Sequence, residues 1–247
     1  MRLTIVGSGD AFGSGGRFNT AFLLETAKAT LLVDCGASTM VALKARKLDP
    51  NRIDAIVLSH LHGDHYGGLP FFMLEAQFLS QRERPLLVAG PPGTRARIPQ
   101  AMEAFFPLST LNKWRFPWNV VELEIGHLND VLGHMVTTAG VVHYSGAPST
   151  AVRISDGERV FAYSGDTEWV DDLLSIAKGA DLFVVECYNY SGGPHGHLTW
   201  EILRPRLGQL EAQSIMLTHM NPTMLARLDE MRAEGVLVAE DGAVHEI

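Results

Sequence analysis

A run of potential metal-binding side chains directly follows a short apolar segment of this chain. Ile53–Leu58 is apolar apart from one aspartate, and the following residues read Ser-His-Leu-His-Gly-Asp-His. The apolar segment is typical of a buried strand, whose alternate side chains share a face, so His60 and His62 can converge on one ion at its end. Asp64 and His65 follow and can turn towards a second point nearby. Imidazole and carboxylate are ligands that a divalent cation such as Zn²⁺ accepts, so the run predicts a metal site.

The spacing His-x-His-x-Asp-His after an apolar strand resembles the signature of the metallo-β-lactamase fold, a superfamily of mostly dinuclear metal hydrolases. That signature has further ligands, and the chain has candidates for them in the expected order. Each candidate lies at the carboxyl end of a short apolar segment, which is where α/β sheets place their chemistry. These candidates are His143, Asp166 and His219.

The resemblance implies a dinuclear centre made from all seven residues. One metal would be held by His60, His62 and His143. The other would be held by Asp64, His65 and His219, and Asp166 would bridge the two. Two ions about 3.5–4 Å apart produce hydroxide near neutral pH and stabilise the charge of the transition state. Asp64 would also orient the bridging water, which makes it a catalytic candidate. The expected cofactors are therefore two divalent ions, with Zn²⁺ first and Mn²⁺ or Fe²⁺ as alternatives.

Other segments narrow the resemblance to ribonuclease Z and its phosphodiesterase-like relatives. They are Gly7–Gly13 with Asn19-Thr20, Leu32–Gly36, Gly90–Gly93, Ser164–Thr167 and His195–Thr199. In that branch the histidine of the His-x-Thr segment, His197 here, donates a proton to the leaving oxygen, a task that suits an imidazole pKa near 6.5. The alternative is that His197 is only a polar residue ahead of a helix that Thr199 caps.

Two departures from ribonuclease Z argue against nucleic acid as the partner. Ribonuclease Z carries a long Gly-rich arm that grips transfer RNA, but here only 22 residues separate His143 from Asp166, and they predict a plain hairpin. The chain is also acidic, with 20 Lys and Arg against 28 Asp and Glu and a net charge of −8. Binding of nucleic-acid phosphates depends on basic side chains. A small-molecule ester is therefore the expected substrate.

The expected function is hydrolysis of a phosphodiester or a similar small ester by a metal-bridging hydroxide, with His197 as the proton donor. A lactonase or an arylsulfatase-like hydrolase would share the ligands and differ in the lining of its pocket. A non-catalytic metal-binding regulatory module would keep the fold without turnover. Because all seven candidate ligands are present, the sequence favours an enzyme.

Strand and helix patterns alternate along the chain, and together with the resemblance they predict an α/β fold. The expected architecture is a four-layer αββα sandwich, with two mixed sheets face to face and helices outside. Residues 1–247 are expected to form a single hydrolase domain, because this length suits one α/β domain. Pro205 should disturb the helix that follows Thr199. The turn residues Asp241-Gly242 between two short apolar segments predict a terminal hairpin.

Location and assembly are predicted from weaker signals. The chain opens with a strand-like segment, Arg2–Val6, and no apolar run approaches the length of about 20 residues that a membrane span needs. The cytoplasm is therefore the expected location. Members of the branch are commonly dimers, so a homodimer is expected.

Overall fold

The computed structural model describes residues 1–247, which form two seven-stranded sheets. The strands are β1 (Arg2–Gly7), β2 (Ala21–Glu25), β3 (Thr30–Val33), β4 (Ala55–Val57), β5 (Leu86–Gly90), β6 (Trp118–Glu122), β7 (Leu128–Val131), β8 (His134–Val141), β9 (Ser149–Ser155), β10 (Val160–Tyr163), β11 (Leu182–Glu186), β12 (Ile215–Thr218), β13 (Leu237–Val238) and β14 (Val244–Glu246). The first sheet has the order β14-β1-β2-β3-β4-β5-β6, and the second has the order β13-β12-β11-β10-β9-β8-β7. Strands β3 to β6 and β10 to β13 run parallel and the others antiparallel, so both sheets are mixed.

Eight short α-helices accompany the sheets, and most of them cover the outer faces. They are α1 (Thr39–Ala45), α2 (Gly63–Tyr66), α3 (Leu69–Phe78), α4 (Thr94–Phe105), α5 (Asp172–Ala177), α6 (Trp200–Leu203), α7 (Pro222–Leu225) and α8 (Leu228–Ala233). Helix α6 begins where the Thr199 hydroxyl accepts a hydrogen bond from the backbone N–H of Ile202, and it gives way to a 3₁₀ segment, Arg204–Gln209, that contains Pro205. The predicted disturbance at Pro205 is confirmed. No helix is long and apolar enough to span a bilayer.

Three hydrophobic layers hold this sandwich together. Side chains alternate along each strand: in β3, Leu31 and Val33 pack between the sheets, whereas Leu32 packs under the helices of the first sheet. In β11, Val184 packs between the sheets and Phe183 packs under the helices of the second sheet. Burial of both faces of the sheets explains why the central strands are apolar without interruption. The predicted four-layer αββα sandwich is confirmed.

The predicted terminal hairpin is wrong. Strand β13 pairs in parallel with β12 in the second sheet, whereas β14 pairs antiparallel with β1 in the first. The separation follows from Asp241, whose carboxylate accepts hydrogen bonds from the Ser8 backbone N–H at 2.8 Å and from the Phe18 backbone N–H at 2.9 Å. This anchor holds the connecting turn against the loop after β1, so the chain crosses from one sheet to the other.

Candidate metal centre

The predicted ligands meet because the strands that precede them end at one edge of the sandwich. His60 to His65 follow β4, Asp166 follows β10 and His219 follows β12. Strand β8 is antiparallel to β9, which is antiparallel to β10, so β8 also points at this edge and delivers His143. His60 and His62 were expected on the end of a strand, but β4 stops at Val57, so both lie in the loop beyond it.

The seven predicted ligand side chains fall into two groups, and two further groups that could hold an ion include His197. Within each group, the candidate ligand atoms all lie within 4.8 Å of one another. The first group consists of His60, His62 and His143. The second consists of Asp64, His65, Asp166 and His219. This division is the one that the resemblance implies, although the ligand roles themselves stay predictions.

One oxygen of Asp166 lies between the two groups. Its Oδ2 is 3.9 Å from His60 Nε2 and 3.8 Å from His143 Nε2, both of the first group. The same oxygen is 3.3 Å from His65 Nε2 and 3.3 Å from His219 Nε2, both of the second group. A carboxylate in this place can share its negative charge between two cations.

Unpaired buried atoms at this edge fit divalent ions. His60 Nε2, His65 Nε2 and Asp166 Oδ1 are buried without a hydrogen-bond partner. Buried polar atoms without a partner are costly, and native proteins rarely keep them without a reason. Imidazole nitrogen and carboxylate oxygen are the donors that Zn²⁺, Mn²⁺ and Fe²⁺ accept. The donor set therefore fits a divalent metal.

The opposite nitrogen of three of these rings is fixed by a second contact. His65 Nδ1 donates to Asp34 Oδ2 at 2.7 Å, and His143 Nδ1 donates to the Gly196 carbonyl at 2.7 Å. The Ser59 hydroxyl donates its proton to Asp34 at 2.8 Å. Its oxygen therefore accepts the hydrogen bond from His60 Nδ1, which lies 3.0 Å away. Such contacts hold the ring orientation and would leave the lone pair of Nε2 available to a metal.

Electrostatics prepare both groups for cations. Burial lowers the pKa of His60 and lowers that of His143 to about 4, so both rings are neutral at neutral pH and able to bind a cation. Burial opposes ionisation of Asp166, but the charges of His219 and His65 outweigh it and hold the pKa of this carboxyl well below its usual range. Burial lowers the pKa of His65, but the charges of three nearby carboxylates outweigh burial and raise this pKa well above its usual value. This surplus of negative charge favours a bound cation.

His197 stands beside the first group and is paired with a buried glutamate. Its ring centroid is 4.8 Å from that of His143, and its Nδ1 donates to Glu186 Oε1 at 3.0 Å. Burial alone would favour the neutral ring, but the charge of Glu186 and this hydrogen bond raise the pKa of His197 to about 9. His197 therefore carries a proton at neutral pH, and its free Nε2 is the atom that can deliver it.

All seven members of the two groups can be predicted from the sequence, but two residues that support the site, Glu186 and Asp34, cannot. Glu186 ends the apolar strand β11, where a glutamate resembles an ordinary polar strand end. Asp34 lies in Leu32–Gly36, a segment typical of the ribonuclease Z branch, and no local pattern marks it as the partner of His65. The missed signal is position: both follow or end strands whose carboxyl ends lie at the same edge as the candidate ligands.

A family comparison gives the chain its place. The profile of the family described as "Anti-Pycsar protein Apyc1" matches residues 1–240. The chain belongs to this family. Its sequence is also 27% identical over 228 residues to the probable metallo-hydrolase YhfI of Bacillus subtilis, covering 89% of this chain and 87% of YhfI. It is 27% identical over 275 residues to ribonuclease Z of Ignicoccus hospitalis, covering 94% and 90% of the two chains.

Solved structures agree on the fold. The crystal structure of the metallo-β-lactamase fold protein YhfI superposes with a TM-score of 0.80 at 23% identity, covering 99% of both chains. That of the short form of human tRNase Z superposes with a TM-score of 0.79 at 26% identity, covering 100% of this chain and 99% of the other. The predicted family and branch are confirmed, and the chain is a metal-dependent hydrolase with the metallo-β-lactamase fold.

The expectation that nucleic acid is not a partner is wrong. Relatives that match nearly the whole chain are named ribonuclease Z, and an enzyme of that name acts on RNA. The net charge of −8 is a sum over the whole chain, whereas binding of a phosphodiester depends on the local charge, to which bound divalent cations contribute. The short hairpin between β9 and β10 removes one region through which RNA could be held, and it leaves the rest of the surface available.

Proposed function

We propose that this hydrolase cleaves phosphodiester bonds at a dinuclear divalent metal centre, with His197 as the proton donor. The observation that carries the proposal is the position of Asp166 Oδ2, which lies 3.3–3.9 Å from ring nitrogens of both ligand groups. The ribonuclease Z relatives support a phosphodiester as the bond that is cleaved. RNA therefore belongs among the substrates to be tested.

The proposed ligands are His60, His62 and His143 for one ion, and Asp64, His65 and His219 for the other, with Asp166 shared. Zn²⁺ is the proposed ion, because histidine and carboxylate ligands suit it. A bound pair of divalent ions supplies Lewis-acid activation of the phosphoryl group and of water. The side chains of the protein then have to orient the reacting groups and move protons.

Asp64 is the proposed acceptor of a hydrogen bond from the attacking water. Its Oδ2 lies 3.2 Å from His65 Nε2 and 3.2 Å from His219 Nε2. Burial opposes ionisation of Asp64, but His65 and His219 hold the pKa of this carboxyl well below its usual range. Asp64 therefore stays ionised and can accept a hydrogen bond throughout the physiological range.

His197 is the proposed donor to the leaving oxygen. Its Nδ1 is committed to Glu186, which fixes the ring, and Nε2 remains for the substrate. Glu186 Oε1 is itself fixed by the backbone N–H of Thr167, which donates at 2.6 Å. A proton donor set in this way contributes about 10²–10⁴-fold to a rate.

The proposed function is tested by turnover of metal-reconstituted protein on four substrates. These are bis(p-nitrophenyl) phosphate, a transfer-RNA precursor, and a lactone with an aryl sulfate as the competing esters. Phosphodiester cleavage that is abolished in Asp166→Ala and retained in His127→Ala, a control at an exposed histidine outside both groups, supports the proposal. Cleavage of the lactone or the sulfate without phosphodiester cleavage would overturn it.

Three further predictions from the sequence accompany this proposal. We propose that residues 1–247 act as one hydrolase domain, which is consistent with the family match over 1–240. The homodimer and the cytoplasmic location stay predictions.

A further inference from the structure

The loop between β1 and β2 lies directly beside the second ligand group. The backbone N–H of His219 donates to the Ser8 carbonyl at 3.2 Å, and Gly9 forms a bridge to Met220. The Thr20 hydroxyl, at the other end of the loop, lies 3.2 Å from the Thr218 hydroxyl. The loop is therefore attached at both ends to the strand that delivers His219.

A buried carboxylate inside the loop holds its shape. Asp10 is 1% exposed, and its Oδ1 accepts hydrogen bonds from the backbone N–H groups of Phe12 at 3.1 Å and Ser14 at 2.9 Å. The Ser14 hydroxyl donates to Oδ2 at 2.6 Å. Converging backbone N–H groups of this kind can form an anion site. Here Asp10 engages them, so the loop does not use them to bind a phosphate.

What the loop presents to solvent is the ring of Phe12, which is 85% exposed. The chain turns sharply on either side of Ser14, because Gly13 and Gly15 have φ values of 70° and 68°, a conformation that favours glycine. Gly15 also abuts Leu225, where an added Cβ would lie 2.8 Å from the Leu225 Cδ1. A single exposed apolar residue is common on proteins. Phe12 differs from such a residue, because its loop is fixed by a buried carboxylate and lies beside a candidate metal centre.

The reach of the loop suits one substrate. Phe12 is four residues from Ser8, whose carbonyl contacts His219, so its Cα lies no more than about 14 Å from that contact. Because this is one isolated ring and not an apolar groove, it suits a planar group better than an acyl chain. Nucleotides combine a phosphodiester with a planar base, and bases stack on aromatic side chains without strict sequence preference.

Building on the proposed phosphodiester hydrolysis, we propose that Phe12 is the platform on which a nucleobase of the substrate stacks while the adjacent phosphodiester lies at the two ligand groups. The stack contributes binding and does not take part in the chemical step. Phe12 is therefore a specificity-determining residue, and its loss should raise KM for substrates that carry a base.

The test compares two substrates that differ only in the base. Metal-reconstituted enzyme is assayed by chromatography on diuridine monophosphate and on an abasic counterpart in which hydrogen replaces both bases. Phe12→Ala should raise KM for diuridine monophosphate about tenfold, without a change in kcat and without a change on the abasic substrate. Phe12→Trp should keep the low KM for diuridine monophosphate. Phe12→Leu, whose side chain is apolar but not planar, should raise this KM nearly as much as Phe12→Ala. Phe105→Ala removes another exposed phenylalanine, on α4, and should change nothing.

The stacking role would be overturned if Phe12→Ala changed KM equally for the two substrates or for neither. A KM for diuridine monophosphate that stays at the wild-type value in Phe12→Leu would also overturn it. If the wild type cleaves neither substrate with its metals bound, the platform is tested by binding alone, and the proposed function is decided separately by bis(p-nitrophenyl) phosphate and the transfer-RNA precursor. Calorimetry with uridine monophosphate and with ribose 5-phosphate then decides. Weaker binding of the nucleotide only, in Phe12→Ala, supports the platform, and unchanged binding of both overturns it.

Discussion

Glu186 Oε1 lies 3.0 Å from His197 Nδ1. This hydrogen bond connects the end of β11 with the loop before α6, at the edge of the sandwich where the two ligand groups lie. Glu186 is fully buried, whereas the side chain of His197 is 16% exposed. The His197 ring is therefore open to solvent, and the carboxylate that balances its charge is not. This geometry makes His197 the member that can reach a substrate.

Replacing His197 should slow the reaction in proportion to how poor the leaving group is. In His197→Ala, kcat for a nucleoside leaving group should fall about 100–1,000-fold, because proton donation to the leaving oxygen is lost. For p-nitrophenolate, which leaves without a proton, kcat should change little. Steady-state kinetics on both substrates, with metal content measured in each variant, check this. An equal fall on both would contradict a role in proton donation.

Glu186→Gln should move the basic limb of the kcat profile to lower pH. A proton donor is active below its pKa, and Glu186 raises the pKa of His197 to about 9, so the acid form persists through neutral pH. Without the charge of Glu186 the pKa falls and the active form is lost at lower pH. Profiles from pH 5 to pH 10 for wild type and variant provide the measurement. A basic limb at the same pH in both would show that another group sets it.

Asp34 should control metal affinity without touching a metal. Its hydrogen bond to His65 Nδ1 fixes the ring, and in Asp34→Asn we expect affinity to fall about 10–100-fold. Asparagine is the suitable replacement because Asp34 has φ 60°, a left-handed conformation that asparagine tolerates. Competition with a chromophoric chelator measures the affinity. Ser155→Ala, at a hydroxyl remote from the site, serves as the control, and an unchanged affinity in Asp34→Asn would contradict the prediction.

The ligand groups could be predicted from the sequence because each ligand follows a short apolar segment, and strand ends of an α/β sheet meet at one edge. The pairing of β7 with β8 could not, since its turn is Leu132-Gly133, with φ values of 52° and 80°, where a turn of this kind usually contains Asn or Asp before Gly. The split of the terminal strands depends on Asp241, and its partners Ser8 and Phe18 are more than 220 residues away in the chain. Long-range polar contacts of this kind leave no local pattern.

Tyr163→Phe should stabilise the protein. The Tyr163 ring is fully buried between the sheets and its hydroxyl has no hydrogen-bond partner, a loss that costs about 1–3 kcal/mol for a buried polar group. Removing the hydroxyl should raise the free energy of unfolding by about 1 kcal/mol, measured by urea denaturation of the metal-loaded protein. Tyr190→Phe is the matched control, because its hydroxyl donates to Glu230 at 2.9 Å and its removal should not stabilise. A destabilised Tyr163→Phe protein would show that the hydroxyl has a partner.

The most direct test of the dinuclear centre is the metal content of purified, reconstituted protein by mass spectrometry, taken together with phosphodiester turnover on the same samples. We expect two divalent ions per chain in the wild type, and at most one, with turnover abolished, in Asp166→Ala, because both ligand groups lose the oxygen that lies between them. Full turnover by wild-type protein holding a single ion, or two ions and normal turnover in Asp166→Ala, would contradict the account.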